Sequence, residues 1–448
     1  MASLALFAAA IGASFPSEFL SVYSAPLAGS VAWSSPDWVL IAYLTLPVLA
    51  IVVFAALTGF NVLARFRGAL RWVTRTENFV TAPAELLPVN FGSDVHYEAF
   101  LDRRFRGDGG LLLEFEERGI GKGLLHRVFH GGSGAITALI EIDGQLLVRK
   151  FASGSAGQTL LAQYDWIERF APDLPVVQTM GRRSDNGDQL YDMRYLGGTR
   201  DFYEAIHTET LVASAAILGD VVARLDAFHA SHAAADAPDA AVRDYLQRKA
   251  SANLNQVIAA LPELFEAPSI EINGRPFALA SLEVFRQLDW LVGKLNQRRQ
   301  ADIHGDLTIE NIMVRPEPGP ANWFLIDPNP HNGFQSPLID FAKLMQSLHL
   351  GYEAVHRDPR ASFANGKLTV SLHRSSQYSA LFAGLCDDLR QRFGEAGLQQ
   401  VLLHEMINYL RLIPYQLRRS PTAGTAFFGC LCILLQDYQE RYPGDLPA

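Results

Sequence analysis

The run His304-Gly305-Asp306-Leu307-Thr308-Ile309-Glu310-Asn311, followed by Ile326-Asp327-Pro328, constrains this 448-residue chain more than any other feature. It brings an Asp in a tight loop, an Asn five residues on and a second Asp at the end of a strand into one neighbourhood. Such an all-oxygen set suits a hard cation such as magnesium, which keeps several waters and needs few protein ligands. Phosphoryl transfer asks for the same parts: an aligned hydroxyl, a late proton acceptor, and metal to neutralise phosphate charge. On this reading Asp306 orients and deprotonates the hydroxyl, while Asn311 and Asp327 ligate the metal.

The flanking sequence supports that setting. Leu288 to Leu295 carries apolar residues at helical spacing and predicts a helix leading into the loop. Ile312-Met313-Val314 and Trp323-Phe324-Leu325-Ile326 are β-prone and separated by the turn-like Glu317-Pro318-Gly319-Pro320. Helix, loop, hairpin and metal-binding Asp is the order found in the C-lobe of kinases. HGDLTIEN with the following IDPN resembles the aminoglycoside phosphotransferase and choline-kinase branch of the protein-kinase-like fold, where HGD replaces HRD. The stretch Pro337 to Leu348 is similar to small-molecule phosphotransferases from bacterial surface-polysaccharide loci.

The resemblance implies an α+β, two-lobed fold with a small β-rich N-lobe and a mostly helical C-lobe. It also implies ATP and Mg2+ as cofactors and a small-molecule hydroxyl as acceptor, with a sugar or polysaccharide precursor favoured. His304 is expected to be structural. Asp340 is expected to accept backbone N–H bonds from the catalytic loop, although an Asp there would also cap a helix.

The nucleotide half is expected upstream. Strands around Gly131-Gly132-Ser133-Gly134, then an Asp143-Gly144 hairpin turn, lead into Gln145 to Phe151. A glycine-rich turn lets backbone N–H groups approach phosphates closely. Lys150 matches the kinase lysine that contacts the α- and β-phosphates, and Arg149 points to the opposite face. Its carboxylate partner is expected on the helix from Gln158 to Phe170, where spacing favours Glu168 over Asp165, and hydrophobic register places Gln163 near the usual slot. The hinge is expected at Leu190 to Gly198, with Met193 and Tyr195 beside the adenine. Gly119-Ile120-Gly121-Lys122-Gly123 lacks the Walker-loop spacing and reads as linker.

Trp38 to Phe60 is uncharged and at 1.5 Å per residue spans about 35 Å, enough for a bilayer core. Residues 1–40 contain no Lys or Arg, whereas Arg65, Arg67, Arg71 and Arg75 follow the span. Positive charge on the cytoplasmic side gives a single-pass membrane protein with a cytoplasmic catalytic domain. Those arginines would sit beside anionic lipid headgroups.

The expected division is 1–37 as a signal-like or extracytoplasmic segment and 38–60 as the span. A juxtamembrane linker at 61–120 precedes the N-lobe at 121–198 and the C-lobe at 199–448. A net charge of −9 argues against nucleic acid as a partner. Cys386, Cys430 and Cys432 are too few for a disulfide framework or zinc site. Ala233 to Ala241 reads as a surface connection.

Acceptor-pocket candidates are Tyr352, Glu353, His404, Tyr409 and, above all, Arg411, which precedes an expected helix break at Ile413-Pro414-Tyr415. Two other readings remain open at this point: a nucleotide-binding pseudokinase acting as a membrane scaffold, and a protein kinase. The short distance from Asp327 to Asp340 leaves little room for the activation loop of the latter.

Overall fold

The computed structural model describes residues 121–129, 135–185, 188–316, 322–330 and 332–447, with short strands at 79–80 and 113–117. The expected membrane span, the segment before it and the Gly131–Gly134 loop lie outside the described residues. Among the described residues, no helix is long and apolar enough to cross a membrane.

Seven antiparallel strands form the N-lobe sheet: β1 (Phe79–Val80), β2 (Leu113–Glu117), β3 (Gly121–Phe129), β4 (Ile136–Ile142), β5 (Gln145–Ser153), β6 (Thr179–Asp185) and β7 (Asp188–Arg194). Their order is β1-β2-β3-β4-β5-β7-β6. Two expectations are corrected here. The segment assigned to linker contributes β1 and β2, and Gly121-Lys122-Gly123 begins β3 instead of extending a loop. The apolar–charged alternation of Leu113-Glu114-Phe115-Glu116 is the period-two signal of a strand, and pairing satisfies its backbone groups. The β4–β5 hairpin turns as expected, with Asp143 and Gly144 both at positive φ (50° and 77°).

Helix α1 (Gly154–Phe170) packs on β5 and β7 and buries Leu160, Trp166, Ile167 and Phe170. The C-lobe is built around α2 (Leu211–Ser231), α3 (Leu338–Leu350), α4 (Ser376–Arg419) and α5 (Pro421–Arg441). Every residue of α3 is buried, so this helix is the axis on which the lobe packs. The backbone of α4 departs from helical geometry at Gly394 (φ 71°), whereas Pro414 lies inside the helix. The expected break at Ile413–Tyr415 is therefore absent; the proline costs a backbone donor, but the packed faces of α4 carry the helix through. Ala233–Asp236 is a strand paired with Arg299–Ala301 rather than a plain surface connection.

A three-stranded sheet positions the site. Arg200–Asp201 pairs with Ile312–Val314, which pairs in turn with Trp323–Leu325. Leu325 also exchanges backbone bonds with Pro175 and Val177, at 2.8 and 3.0 Å, tying this hairpin to the segment after α1. The expected pair of short strands flanking residues 317–320 is thus present, although those turn residues lie outside the described set.

Candidate active site

The catalytic loop is held from beneath by one carboxylate. Asp340, fully buried on α3, accepts the backbone N–H groups of His304 and Gly305 at 2.9 and 2.6 Å and meets His229 Nε2 at 3.0 Å. Burial works against its charge, but His229, His304 and the Gly305 N–H outweigh it and hold the carboxyl below its usual range. The His304 ring is fully buried, lies edge-on to Trp166, and has Nε2 2.8 Å from the Ile326 carbonyl. Burial pushes its imidazole below the ordinary histidine value, as suits a neutral structural ring. Gly305 adopts φ 79°, and a Cβ there would collide with the Asn329 carbonyl and the Asn332 amide. Only glycine fits where the two loops press together.

Loop geometry then aims the three polar side chains. Asn311 Nδ2 donates to the Asp306 carbonyl at 2.7 Å, which turns the amide oxygen the other way and leaves it as the candidate metal ligand. The Ile326 N–H donates to the Asn311 carbonyl at 3.0 Å, so the strand bearing Asp327 is tied to the same loop. Asp327 sits at φ 59°, a left-handed conformation that aspartate tolerates better than most residues. Lys150 Nζ donates to its Oδ1 across 177 positions of sequence. A buried ammonium, a half-exposed carboxylate and an amide oxygen are a fitting donor set for a magnesium–phosphate complex.

Around Asp306 the balance is basic. Lys343 Nζ, buried on α3, lies 2.9 Å from Asp306 Oδ1. Burial alone would raise Asp306, but Lys343 and Arg411 outweigh it and hold the carboxyl below its ordinary range. Burial lowers Lys343 in turn, while Asp306 works to keep it charged.

The expected site residues other than Gly131–Gly134, which lie outside the described residues, can now be placed. Lys150 and Asp327 meet, Asp306 and Asn311 share the loop, and Arg411 comes near enough to act on Asp306. Arg149 points away as expected and makes a two-pronged bond to Asp192 at 2.7 and 2.7 Å. Met193 is buried at the end of β7 and Tyr195 is half-buried just beyond, before the positive-φ Gly198. Glu168 is a correction: it is exposed on α1 and accepts from the Thr179 hydroxyl, so it does not pair with Lys150. Asp165 is no substitute, being bonded to Arg182. Helical phase explains this, because the inward face of α1 carries Trp166, Ile167 and Phe170 and turns both acids to solvent.

His404, Tyr409 and Glu353 are buried side chains: Tyr409 donates to the Gln346 carbonyl and Glu353 accepts from Ser347. Sequence reasoning missed Lys343. Its spacing of three from Asp340 was a usable signal, since one helical turn puts both on the face that meets the loop.

The family model described as the phosphotransferase enzyme family matches residues 119–364. No curated protein matches the sequence. Among solved structures, aminoglycoside phosphotransferase APH(4)-Ia in ternary complex with ADP and hygromycin B is 13% identical, with a TM-score of 0.43, covering 76% of this chain and 98% of that one. The gentamicin complex of APH(2")-IIa is 14% identical, with a TM-score of 0.41, covering 78% and 97%.

Proposed function

We propose that this chain, which belongs to the phosphotransferase enzyme family and is an ATP-dependent, magnesium-using kinase of small-molecule hydroxyls, phosphorylates a sugar or surface-polysaccharide precursor. Asp306 aligns the acceptor hydroxyl and takes its proton as the new oxygen–phosphorus bond forms and the bond to the departing ADP oxygen breaks. Bound magnesium would neutralise phosphate charge, held by Asp327 and the Asn311 amide oxygen. Lys150 presents its ammonium to the phosphates beside that position. The Met193–Tyr195 segment meets the adenine. The observation that carries this reading is the contact of Lys150 with Asp327, which joins the lysine of the N-lobe sheet to the carboxylate beside the catalytic loop, where the nucleotide phosphates and metal would sit.

Purified full-length protein incubated with ATP, magnesium and a panel of hydroxyl compounds should release ADP only when an acceptor is present. Sugars failing throughout, with turnover on another hydroxyl compound, would sink the sugar assignment.

The proposal extends to location: a single-pass membrane protein with its kinase domain in the cytoplasm. Its support is the uncharged run 38–60 followed by four arginines. The protein should stay with membranes in high salt, because a buried apolar span does not depend on charges screened beyond about 10 Å at 0.1 M. Release into the supernatant by salt would overturn the anchor.

A further inference from the structure

Beyond Asp306 the cations Lys343, Arg411 and Lys249 gather, while the neighbouring acids Glu310 and Asp244 are each paired, with Arg357 and Arg248. Gln247–Ser251 forms a short π-helical turn that packs against α4 and carries Lys249 between Arg248 and the buried Ala250. Arg248 is bonded to Asp244 and lies beside Gly333, in the loop that follows Asp327. Lys249 and Arg411 are both half-buried, and among the described residues neither side chain has a hydrogen-bond or ion-pair partner. The charges acting on Lys249 are Arg411, Arg248 and Lys343, all of its own sign. Burial together with these three pushes its ammonium down to about 8. Glu353, the acid nearest in influence to Lys343 after Asp306, is itself driven up to about 8 by burial. It is therefore largely uncharged at neutral pH and does not balance the field.

Holding unpaired cations half out of water is unfavourable unless an anion arrives to meet them. Arginine forms two parallel bonds to a carboxylate or phosphate, and lysine supplies a point charge. Tyr245, one turn before Lys249, meets His404, two turns before Arg411 on α4, with ring centroids 5.9 Å apart, so the turn and this face of α4 lie against each other. Arg411 also lies beyond residues 119–364, so the helix that bears it is outside the segment shared with the family.

We propose that the acceptor carries an anionic group, a carboxylate or a phosphate, that seats on Arg411 and Lys249 while its hydroxyl faces Asp306 and Lys343 keeps that aspartate in place. The inference rests on Asp306 being the proton acceptor. It runs opposite to recognition of a polyamine-like acceptor, which these cations would repel.

The test uses full-length protein with glucose, glucosamine, glucuronate and glucose 6-phosphate as probes, read by ADP release and by calorimetric binding. One or both anionic sugars should exceed glucose in kcat/KM by about tenfold or more, with glucosamine poorest, since a charge-assisted bond contributes about 1.5–3 kcal/mol. Whichever anion wins tells carboxylate from phosphate. Arg411→Gln and Lys249→Gln should each raise KM for that sugar by about tenfold while KM for ATP stays put, and Arg411→Lys should recover part of the loss. Unchanged ATP binding also certifies that the variants are folded. Preference for glucose or glucosamine would overturn the inference and leave the kinase reading standing. A rise in KM for ATP in Arg411→Gln would assign the cluster to the nucleotide and overturn it too. Calorimetric binding of an anionic sugar that is lost in both variants, without transfer, would uphold the anionic seat and show that the probe's hydroxyl is not the one that reacts. Neither binding nor transfer of the anionic sugars would overturn the inference.

Discussion

The cleft holds two buried lysines, each against one aspartate, and their surroundings differ. Lys150 reaches Asp327 from a strand, and its neighbour Arg149 is fully engaged by Asp192. Lys343 reaches Asp306 from a helix, and Arg411 and Lys249 add charge of the same sign nearby. One pair sits in a balanced setting that a metal can open by displacing the ammonium. The other sits in a basic field that stays basic until something negative enters. A single architecture thus keeps its nucleotide side and its acceptor side electrostatically distinct.

The largest effect that bears on this contrast is expected at Asp306. Asp306→Asn should lower kcat by about 100- to 10,000-fold with ATP binding retained, the usual range for removing a positioned base. Near-normal turnover would mean the Lys343 pair is only structural. Asp340→Ala comes next, because it strips the acceptor from the His304 and Gly305 N–H groups in a fully buried place. At about 1–3 kcal/mol for each unsatisfied group, denaturant unfolding should show a loss on the order of several kcal/mol. An unaltered midpoint would mean the loop holds without its buried carboxylate.

Lys343→Met keeps volume but frees Asp306, and should cost about ten- to a hundredfold in kcat with little change in KM for ATP. Lys150→Met should instead act on ATP handling, so identical kinetic signatures in the two variants would erase the distinction between the sides.

Another buried cation, outside the Asp306 pair, gives a control that is read in stability and not in turnover. His349 lies between Glu405 and Asp437 at 3.1 and 3.6 Å and lines a cavity of about 420 Å3. Burial pulls its imidazole down, but Glu405 and Asp437 prevail and bring it up to about 9. A group raised on folding stabilises fully below its unfolded value, near 6.5, and loses that contribution as pH rises through 9. The shift corresponds to about 3 kcal/mol. His349→Gln should therefore flatten the decline of stability between pH 6.5 and 9 without moving acceptor preference, and an unchanged slope would refute the pairing.

Much of this was legible because loops with special geometry need special residues. His304-Gly305-Asp306 and Asn311 announce a fixed turn, and Asp143-Gly144 announces a hairpin. Lys150 was readable from its place near the end of a strand. Its partner was not, since periodicity does not say which acid on α1 faces inward, and neither Glu168 nor Asp165 does. Lys249 was hidden for another reason. It lies in a π-helical turn, where the extra residue shifts helical phase and defeats counting by three and four. Strand β1 was missed because long-range pairing recruits two residues with no local pattern of their own, whereas the alternation at β2 was legible and passed over.

Asp327 carries one more consequence, through its backbone. At φ 59° it occupies a region open to glycine, asparagine and aspartate and strained for nearly everything else. Replacement by alanine removes a carboxylate and adds about 1–2 kcal/mol of conformational penalty together, so its phenotype confounds two causes. Glycine removes the carboxylate and relaxes the chain, whereas asparagine keeps the shape and loses only the charge. Few single-codon departures from Asp327 are therefore silent for folding, and the position is guarded by its torsion angle as well as by its chemistry.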